Sequence, residues 1–231
     1  MVDRVSYRCT GSVGHIAMDD GKVNVLSPAM QAELNQALDQ AERDEAAVVL
    51  TGKPGLFSAG FDLGVLRGGG EDALSMLKGG FLLSERLLSF PYPVVVACSG
   101  HAVAMALFLV LSGDYRIGVT GQARLTANEV AIGLSMPRAA IEICRQRLTP
   151  AAFTRVVILA EPFSGQQAVE AGLLDALVDP SELDARAGEV ASALRGLDMA
   201  AHRSTKLRAR ARSLEALHAA IEQDDADLRL I

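Results

Sequence analysis

The longest apolar stretch of the sequence runs from Val94 to Leu111, and its 18 residues are near the minimum length of a membrane-spanning helix. The tripeptide Ser99-Gly100-His101 divides it into VVVAC and AVAMALFLVL, and each piece is too short to cross a bilayer. Short apolar runs of this kind are typical of the fully buried elements of an α/β protein. The stretch therefore predicts a buried strand at Val94–Cys98, an apolar helix at Ala102–Leu111 and no membrane contact.

Further strands and helices alternate along the chain. The predicted strands are Val5–Cys9, His15–Met18, Ala47–Thr51, Val94–Cys98, one that begins at Asp114, and a short extended segment at Arg124–Ala131. The predicted helices are Pro28–Arg43 with Ser27 as its N-cap, Glu71–Phe90, Pro137–Arg147 and Pro150–Ala160. This alternation indicates an α/β fold with a largely parallel sheet, followed from Ser164 by a helical tail.

Composition excludes several classes of protein. Half of the 231 residues are hydrophobic, which excludes a disordered chain, and the net charge of −6 argues against nucleic-acid binding. The three cysteines form no CxxC motif. Cys9, Cys98 and Cys144 are expected to be buried thiols in a reducing compartment. Because the first residues lack an apolar signal core, a cytoplasmic location is expected.

Two loops and one acidic residue are the candidates for chemistry. The motifs GxSxG and HExxH are absent, the four histidines are scattered without metal-ligand spacing, and His101 is expected to be hydrogen-bonded near the core. The segments Phe57–Asp62 and Ser99-Gly100 each follow a buried strand and precede a helix, so both are expected to present free amides to an anion. Glu129 lies at the edge of an apolar segment, where burial would raise its pKa towards that of a general base.

Four segments carry a family resemblance: AVVLTGKPGLFSAGFDL, PVVVACSGHAVAMALFLVLSGDYRIG, TANEVAIGLSMP and EPFSGQQAVEAGLLDALV. In order and spacing they resemble the crotonase superfamily, the enoyl-CoA hydratase/isomerase fold, over nearly the whole chain. The resemblance implies a ClpP-like α/β spiral of ββα units with a helical C-terminal trimerisation region. It also implies an acyl-CoA thioester as substrate, no other cofactor, no metal, and a homotrimer or hexamer.

The resemblance also assigns the binding residues. The two backbone N–H groups that hold the thioester enolate fall on Phe61 and Met105, the latter at a position that is commonly glycine in the family. The positions expected to contact coenzyme A or the acyl chain are Lys22, Val23, Ala59, Phe61, Asp62, Leu63 and Phe108.

The acidic positions separate two reactions within the family. Hydratases use two glutamates to activate a water; here the first aligns with Phe108 and the second with Glu129. A single glutamate with an apolar partner resembles the Δ3,Δ2-enoyl-CoA isomerases, in which one carboxylate moves a proton from C2 to C4 without water. Two alternatives stay open: a hydratase whose second acid is Asp62 or Glu142, and a non-catalytic acyl-CoA-binding protein.

The sequence is divided into a spiral core at residues 1–195 and a shortened C-terminal helical region at 196–231. The basic segment His202–Arg212 is expected either to be a solvated helix face or to bring Lys206 or Arg210 to the phosphates of coenzyme A. A stripe of Leu214, Leu217 and Ile221 is expected to remain partly uncovered in one protomer and to contribute to the trimer contacts.

Overall fold

The computed structural model describes residues 3–228, which form nine strands in two sheets. The strands are β1 (Val5–Thr10), β2 (Val13–Met18), β3 (Ala47–Thr51), β4 (Gly55–Ser58), β5 (Val94–Cys98), β6 (Gly100–Val103), β7 (Tyr115–Val119), β8 (Leu125–Thr126) and β9 (Ala176–Val178). The main sheet has the order β1-β2-β3-β5-β7-β9 and is parallel except for the β1–β2 hairpin. A second, parallel sheet has the order β4-β6-β8, so the predicted α/β fold with a largely parallel sheet is confirmed.

Nine α-helices lie within the same residues. They are α1 (Pro28–Arg43), α2 (Leu63–Gly68), α3 (Gly70–Ser89), α4 (Met105–Leu111), α5 (Arg138–Arg145), α6 (Pro150–Val157), α7 (Gly165–Glu170), α8 (Leu183–Arg195) and α9 (Met199–Leu228). The start of α1 is as predicted, because the Ser27 hydroxyl accepts a hydrogen bond from the Met30 amide at 3.2 Å. None of the helices described here combines the length and apolarity needed to cross a membrane.

The strand VVVAC is apolar throughout because both faces of the main sheet are covered. On one face Val94 and Val96 pack in the larger core with α1, α3 and α4. On the other face Val95 and Ala97 pack against Ala187 and its neighbours on α8. Successive strand residues alternate between the two faces, so each of them is buried.

Two predictions of secondary structure were wrong, and short strands such as β4 were not predicted. The helix expected over Ala102–Leu111 begins at Met105, because residues 100–103 form β6 between β4 and β8. A Cβ atom at Gly100 would lie 1.9 Å from the Gly55 carbonyl carbon, so glycine is required where β4 and β6 approach. Within the segment predicted as extended over 124–131, Leu125–Thr126 alone is a strand, and β9 was not predicted.

Two side chains expected in or near the core lie at the surface instead. Cys9 is an exposed free thiol on β1, an edge strand, whereas Cys98 and Cys144 are buried as predicted. His101 is exposed on β6, although its Nδ1 accepts a hydrogen bond from the Arg124 amide at 3.0 Å. Alternation along β6 turns His101 away from the core. Cys9 shares a face of β1 with Val5 and Tyr7, which pack against the core, but it lies near the end of this edge strand and is exposed.

Helix α9 is attached to the core by a buried ionic cluster around Asp114. The Asp114 carboxylate accepts from Lys206 Nζ at 2.7 Å, from Arg210 at 2.8 Å and from the Val94 amide at 2.8 Å. Burial lowers the pKa of Lys206 to about 8, against the opposing effect of Asp114. Lys206 and Arg210 therefore do not belong to a solvated face, because they form ion pairs at the N-terminal ends of β5 and β7. The remaining arginines of the basic segment, Arg203, Arg208 and Arg212, are exposed as expected.

The apolar stripe of α9 is covered within the protomer. Leu217 and Ile221 are each 1% exposed and belong to the larger core, and Leu214 packs against it. The stripe consequently gives no support to the predicted trimer, contrary to the reasoning from sequence.

Asp114→Asn is expected to lower the free energy of unfolding by about 3 kcal/mol, because two buried cations lose their counter-charge. Asp198→Asn is the matched control: Asp198 caps α9 at the surface by accepting from the Ala201 amide, and Asn caps equally well. Urea unfolding of the two variants measures the difference. Equal stability of both variants would show that the Asp114 cluster does not anchor α9.

Candidate active site

The first predicted anion-binding loop lies between β4 and α2. Ser58 is buried and fixes the loop: its hydroxyl donates to the Asn24 carbonyl at 2.6 Å and accepts from the Gly60 amide at 3.1 Å. Gly60 has φ +87°, and a Cβ atom there would lie 2.7 Å from the Val103 carbonyl oxygen. The positive φ and the close approach both require glycine immediately before Phe61.

The second loop meets the first at the start of α4. Ala104 has φ +53°, and the chain turns there from β6 into the helix, of which Met105 is the first residue. The Cβ position of Gly60 lies 3.5 Å from the Met105 nitrogen, so the two loops are in direct contact. Neither the Phe61 amide nor the Met105 amide has an acceptor among residues 3–228. Two neighbouring unpaired amides can stabilise negative charge on an oxygen atom.

Glu129 follows the short strand that pairs with β6. The Thr126 carbonyl accepts from the Ala104 amide at 2.8 Å, which connects the segment carrying Glu129 to the second loop. Glu129 is 9% exposed, and its Oε2 has no hydrogen-bond partner in the described chain. Burial raises the pKa of Glu129, and burial together with the Glu129 charge raises the pKa of Cys144 on α5 to about 12. A hydrogen bond to its own backbone opposes the rise for Glu129. A desolvated carboxylate with one unpartnered oxygen is suited to take and return a proton.

Three phenylalanines connect the first loop to α4. Phe61 makes an edge-to-face contact with Phe81, and Phe81 stacks on Phe108, both with ring centroids 6.2 Å apart. Phe108 is 1% exposed. The position that aligns with the first glutamate of hydratases is therefore part of an apolar aromatic cluster.

The two alternative acids have other partners. The Asp62 carboxylate caps α2 by accepting from the amides of Gly64 at 2.7 Å and Val65 at 3.4 Å. Glu142 forms an ion pair with Arg145 at 3.2 Å and lines a cleft between α5 and α9. Neither carboxylate shares the buried, unpaired state of Glu129.

Most of the residues expected to bind coenzyme A lie on the first of these loops or on the loop before α1, which is hydrogen-bonded to it. Lys22 and Val23 are exposed on the loop before α1, and the Val23 carbonyl accepts from the Ala59 amide at 3.0 Å. Leu63, the first residue of α2, is 57% exposed. These side chains form an accessible margin beside the buried amides, whereas Lys206 and Arg210 lie at the opposite, N-terminal ends of the strands.

Several residues of this arrangement were not identified from the sequence. Ala104 has a positive φ, the buried Thr126 hydroxyl has no hydrogen-bond partner in the described chain, and Phe81 joins the other two rings. The scarcity of aromatic residues, with only seven phenylalanines in the sequence, was the one signal that could have drawn attention to Phe81. Within residues 3–228 no group of three or more His, Cys, Asp or Glu side chains could hold a metal ion.

Comparison with known proteins identifies relatives over nearly the whole chain. The family model described as enoyl-CoA hydratase/isomerase matches residues 8–229. Two structures from Mycobacterium tuberculosis are similar to this chain, one described as an enoyl-CoA isomerase and one as a probable enoyl-CoA hydratase. The first is 48% identical, with a TM-score of 0.94 and coverage of 98% of this chain and 99% of that one. The second is 47% identical, with a TM-score of 0.96 and coverage of 99% and 97%. An enoyl-CoA hydratase from Mycobacterium marinum is also 48% identical, with a TM-score of 0.94 and coverage of 97% and 99%.

A peroxisomal enoyl-CoA delta isomerase 2 from Arabidopsis thaliana is 32% identical over 156 residues, which are 64% of this chain and 65% of that protein. For this and two further curated relatives, the matched segments span from 51% to 68% of the relatives' own lengths. The names of the relatives include isomerases and hydratases, and also a methylmalonyl-CoA decarboxylase from Escherichia coli that is 28% identical over 170 residues.

Proposed function

The chain belongs to the enoyl-CoA hydratase/isomerase family, and we propose that it moves the double bond of a 3-enoyl-CoA thioester to position 2. The observation that carries the proposal is the combination of one buried, unpaired carboxylate at Glu129 with an apolar Phe108 where a hydratase has its first glutamate. Double-bond migration needs one group that accepts and returns a proton, whereas hydration needs a second group to activate water.

In the proposed reaction Glu129 removes a proton from C2 of the thioester, and the electron pair is delocalised into a dienolate. The amides of Phe61 and Met105 donate to the thioester oxygen as it becomes negative, and each such donor is worth about 3 kcal/mol in the transition state. Glu129 then returns the proton to C4. The aromatic cluster of Phe61, Phe81 and Phe108 keeps water from the dienolate. The coenzyme A portion is held by the exposed residues Lys22, Val23 and Leu63 together with the half-buried Ala59 and Asp62.

Hydration of 2-enoyl-CoA is the second candidate function, because a relative named as a hydratase is as similar to this chain as one named as an isomerase. Incubation with 3-hexenoyl-CoA and, separately, with 2-hexenoyl-CoA, with both products followed by mass and ultraviolet absorbance, tests the proposal. A double-bond shift without hydration supports the isomerase. Efficient hydration of the 2-enoyl thioester would overturn the single-acid argument, and tight binding with no turnover of either thioester would favour a non-catalytic acyl-CoA-binding protein.

We also propose a homotrimer, or a pair of trimers. Apolar side chains at two places are exposed on the single chain: Val130, Ile132 and Leu134 beyond Glu129, and Ile158 and Leu159 beyond α6. Contact with further copies would remove these side chains from water. Light scattering at micromolar concentration is expected to give three or six times the mass of one chain, and the mass of a single chain would contradict the proposal.

A further inference from the structure

A glycine in the middle of α3 lies against both residues of the proposed oxyanion hole. A Cβ atom at Gly80 would lie 2.5 Å from Cε1 and 2.6 Å from Cζ of the Phe61 ring, and 3.4 Å from Cγ of Met105. Contacts below 3.0 Å are not tolerated, so any other residue at position 80 would displace the Phe61 ring. The side chains of the two residues that present the amides thus converge on one point of α3.

Phe81, the residue after Gly80, contacts the Phe61 ring from a second direction. Phe81 is 4% exposed and contacts Phe61 edge-to-face, with an interplanar angle of 71°. The ring of Phe81 also stacks on Phe108 at an angle of 28°. Phe61 itself is only partly buried, so its ring has room to move when an added side chain at position 80 pushes it.

Local backbone structure gives no reason for a glycine at position 80. Gly80 is an interior residue of α3 and, unlike Gly69 and Gly70, does not have a positive φ. Glycine in a helix interior lowers helix stability relative to alanine. Because Gly80 has no side chain, Phe61 and Met105 can lie close to α3.

We propose that Gly80 and Phe81 are positioning residues for the oxyanion hole. By fixing the rings and side chains of Phe61 and Met105, they determine where the two backbone amides point and how wide the acyl pocket is at Phe108. The inference rests on the proposed function, since it assigns these residues to the stabilisation of the thioester oxygen. A shift of about 1 Å in such a site can cost up to 10²-fold in rate.

The test is a double-mutant cycle between positions 80 and 61. Gly80→Ala is expected to lower kcat for 3-hexenoyl-CoA by about tenfold or more, with KM within about threefold, because transition-state stabilisation is lost and not ground-state binding. Phe61→Leu keeps the backbone amide but removes the ring. In a Phe61→Leu background, addition of Gly80→Ala is expected to lower kcat by less than about threefold, because the clash is gone.

The matched control is Gly188→Ala, another helix-interior glycine, where the nearest atom would be His15 Cε1 at an ordinary 3.7 Å. This variant is expected to keep full activity. If Gly80→Ala does not fold, Phe81→Leu tests the same contact without adding an atom at position 80, and its effect on kcat should likewise be smaller in the Phe61→Leu background. Circular dichroism verifies the fold of each variant.

The inference is overturned if Gly80→Ala keeps kcat within about threefold of an active wild type, or if the loss is equally large in the Phe61→Leu background. An equal loss would mean that position 80 acts through α3 alone. A wild-type protein that neither isomerises nor hydrates the enoyl thioesters would overturn the proposed function first, and the inference with it.

Discussion

Glu129→Gln is expected to lower the turnover of 3-hexenoyl-CoA by about 10²–10⁴-fold, the usual effect of removing a general base. Glutamine keeps the shape and volume of the side chain but cannot take the proton from C2. Affinity for the thioester should stay within about threefold of wild type, because in the proposed site binding depends on backbone amides and on the exposed margin around Leu63. Turnover from steady-state kinetics and affinity from calorimetry with a saturated acyl-CoA separate the two effects.

Glu142→Gln is the matched control, since Glu142 is paired with Arg145 and lies beside the cleft between α5 and α9. Its kinetics should equal those of the wild type. The pH profile gives a further check: burial raises the pKa of Glu129 and only the ionised form is a base, so activity should be lost as the pH falls through that raised pKa. A Glu129→Gln enzyme within about tenfold of wild-type turnover would remove Glu129 from the mechanism.

Sequence patterns predicted the parts of the fold that local chemistry determines. Apolar runs such as Val94–Cys98 are strands because both faces are covered, and Ser27 followed by proline starts α1. The predicted start of α4 was wrong because residues 100–103 pair as a strand with β4 and β8, which come from distant parts of the chain. The strand β9 has only three residues, all half-buried, and three residues are too few to show the alternation of a strand.

The candidate site could be predicted only as far as it lies in short motifs. Phe61, Met105 and Glu129 were each proposed from the segment around them. The structure places the loops of Phe61 and Met105 in contact and connects the segment of Glu129 to the second loop through the Thr126 carbonyl. The proposed role of Gly80 depends on the close approach of α3 to Phe61 in the first loop, and no local sequence pattern reveals that approach. Lys206 was misinterpreted for the same reason, because its partner Asp114 is 92 residues away in sequence.

Phe108→Glu is expected to raise hydration of 2-hexenoyl-CoA by about 10²-fold over the wild type, because a positioned acid–base group contributes at least that factor. In the proposed site the new carboxylate would lie where hydratases have their first glutamate and would hold a water for attack on the double bond. Isomerase activity should fall at the same time, since water would then reach the dienolate. The measurement is the yield of 3-hydroxyacyl-CoA from the 2-enoyl thioester.

Stability has to be measured on the same protein, because Phe108 is buried and stacks on Phe81. We expect the substitution to lower the free energy of unfolding by about 3–5 kcal/mol, through lost packing and burial of a polar group. Phe108→Leu is the matched variant: it also removes the ring stacking but adds no acid, so it should gain no hydratase activity. Hydration by the leucine variant equal to that of the glutamate variant would mean that access of water to the pocket, and not a second carboxylate, separates the two reactions in this protein.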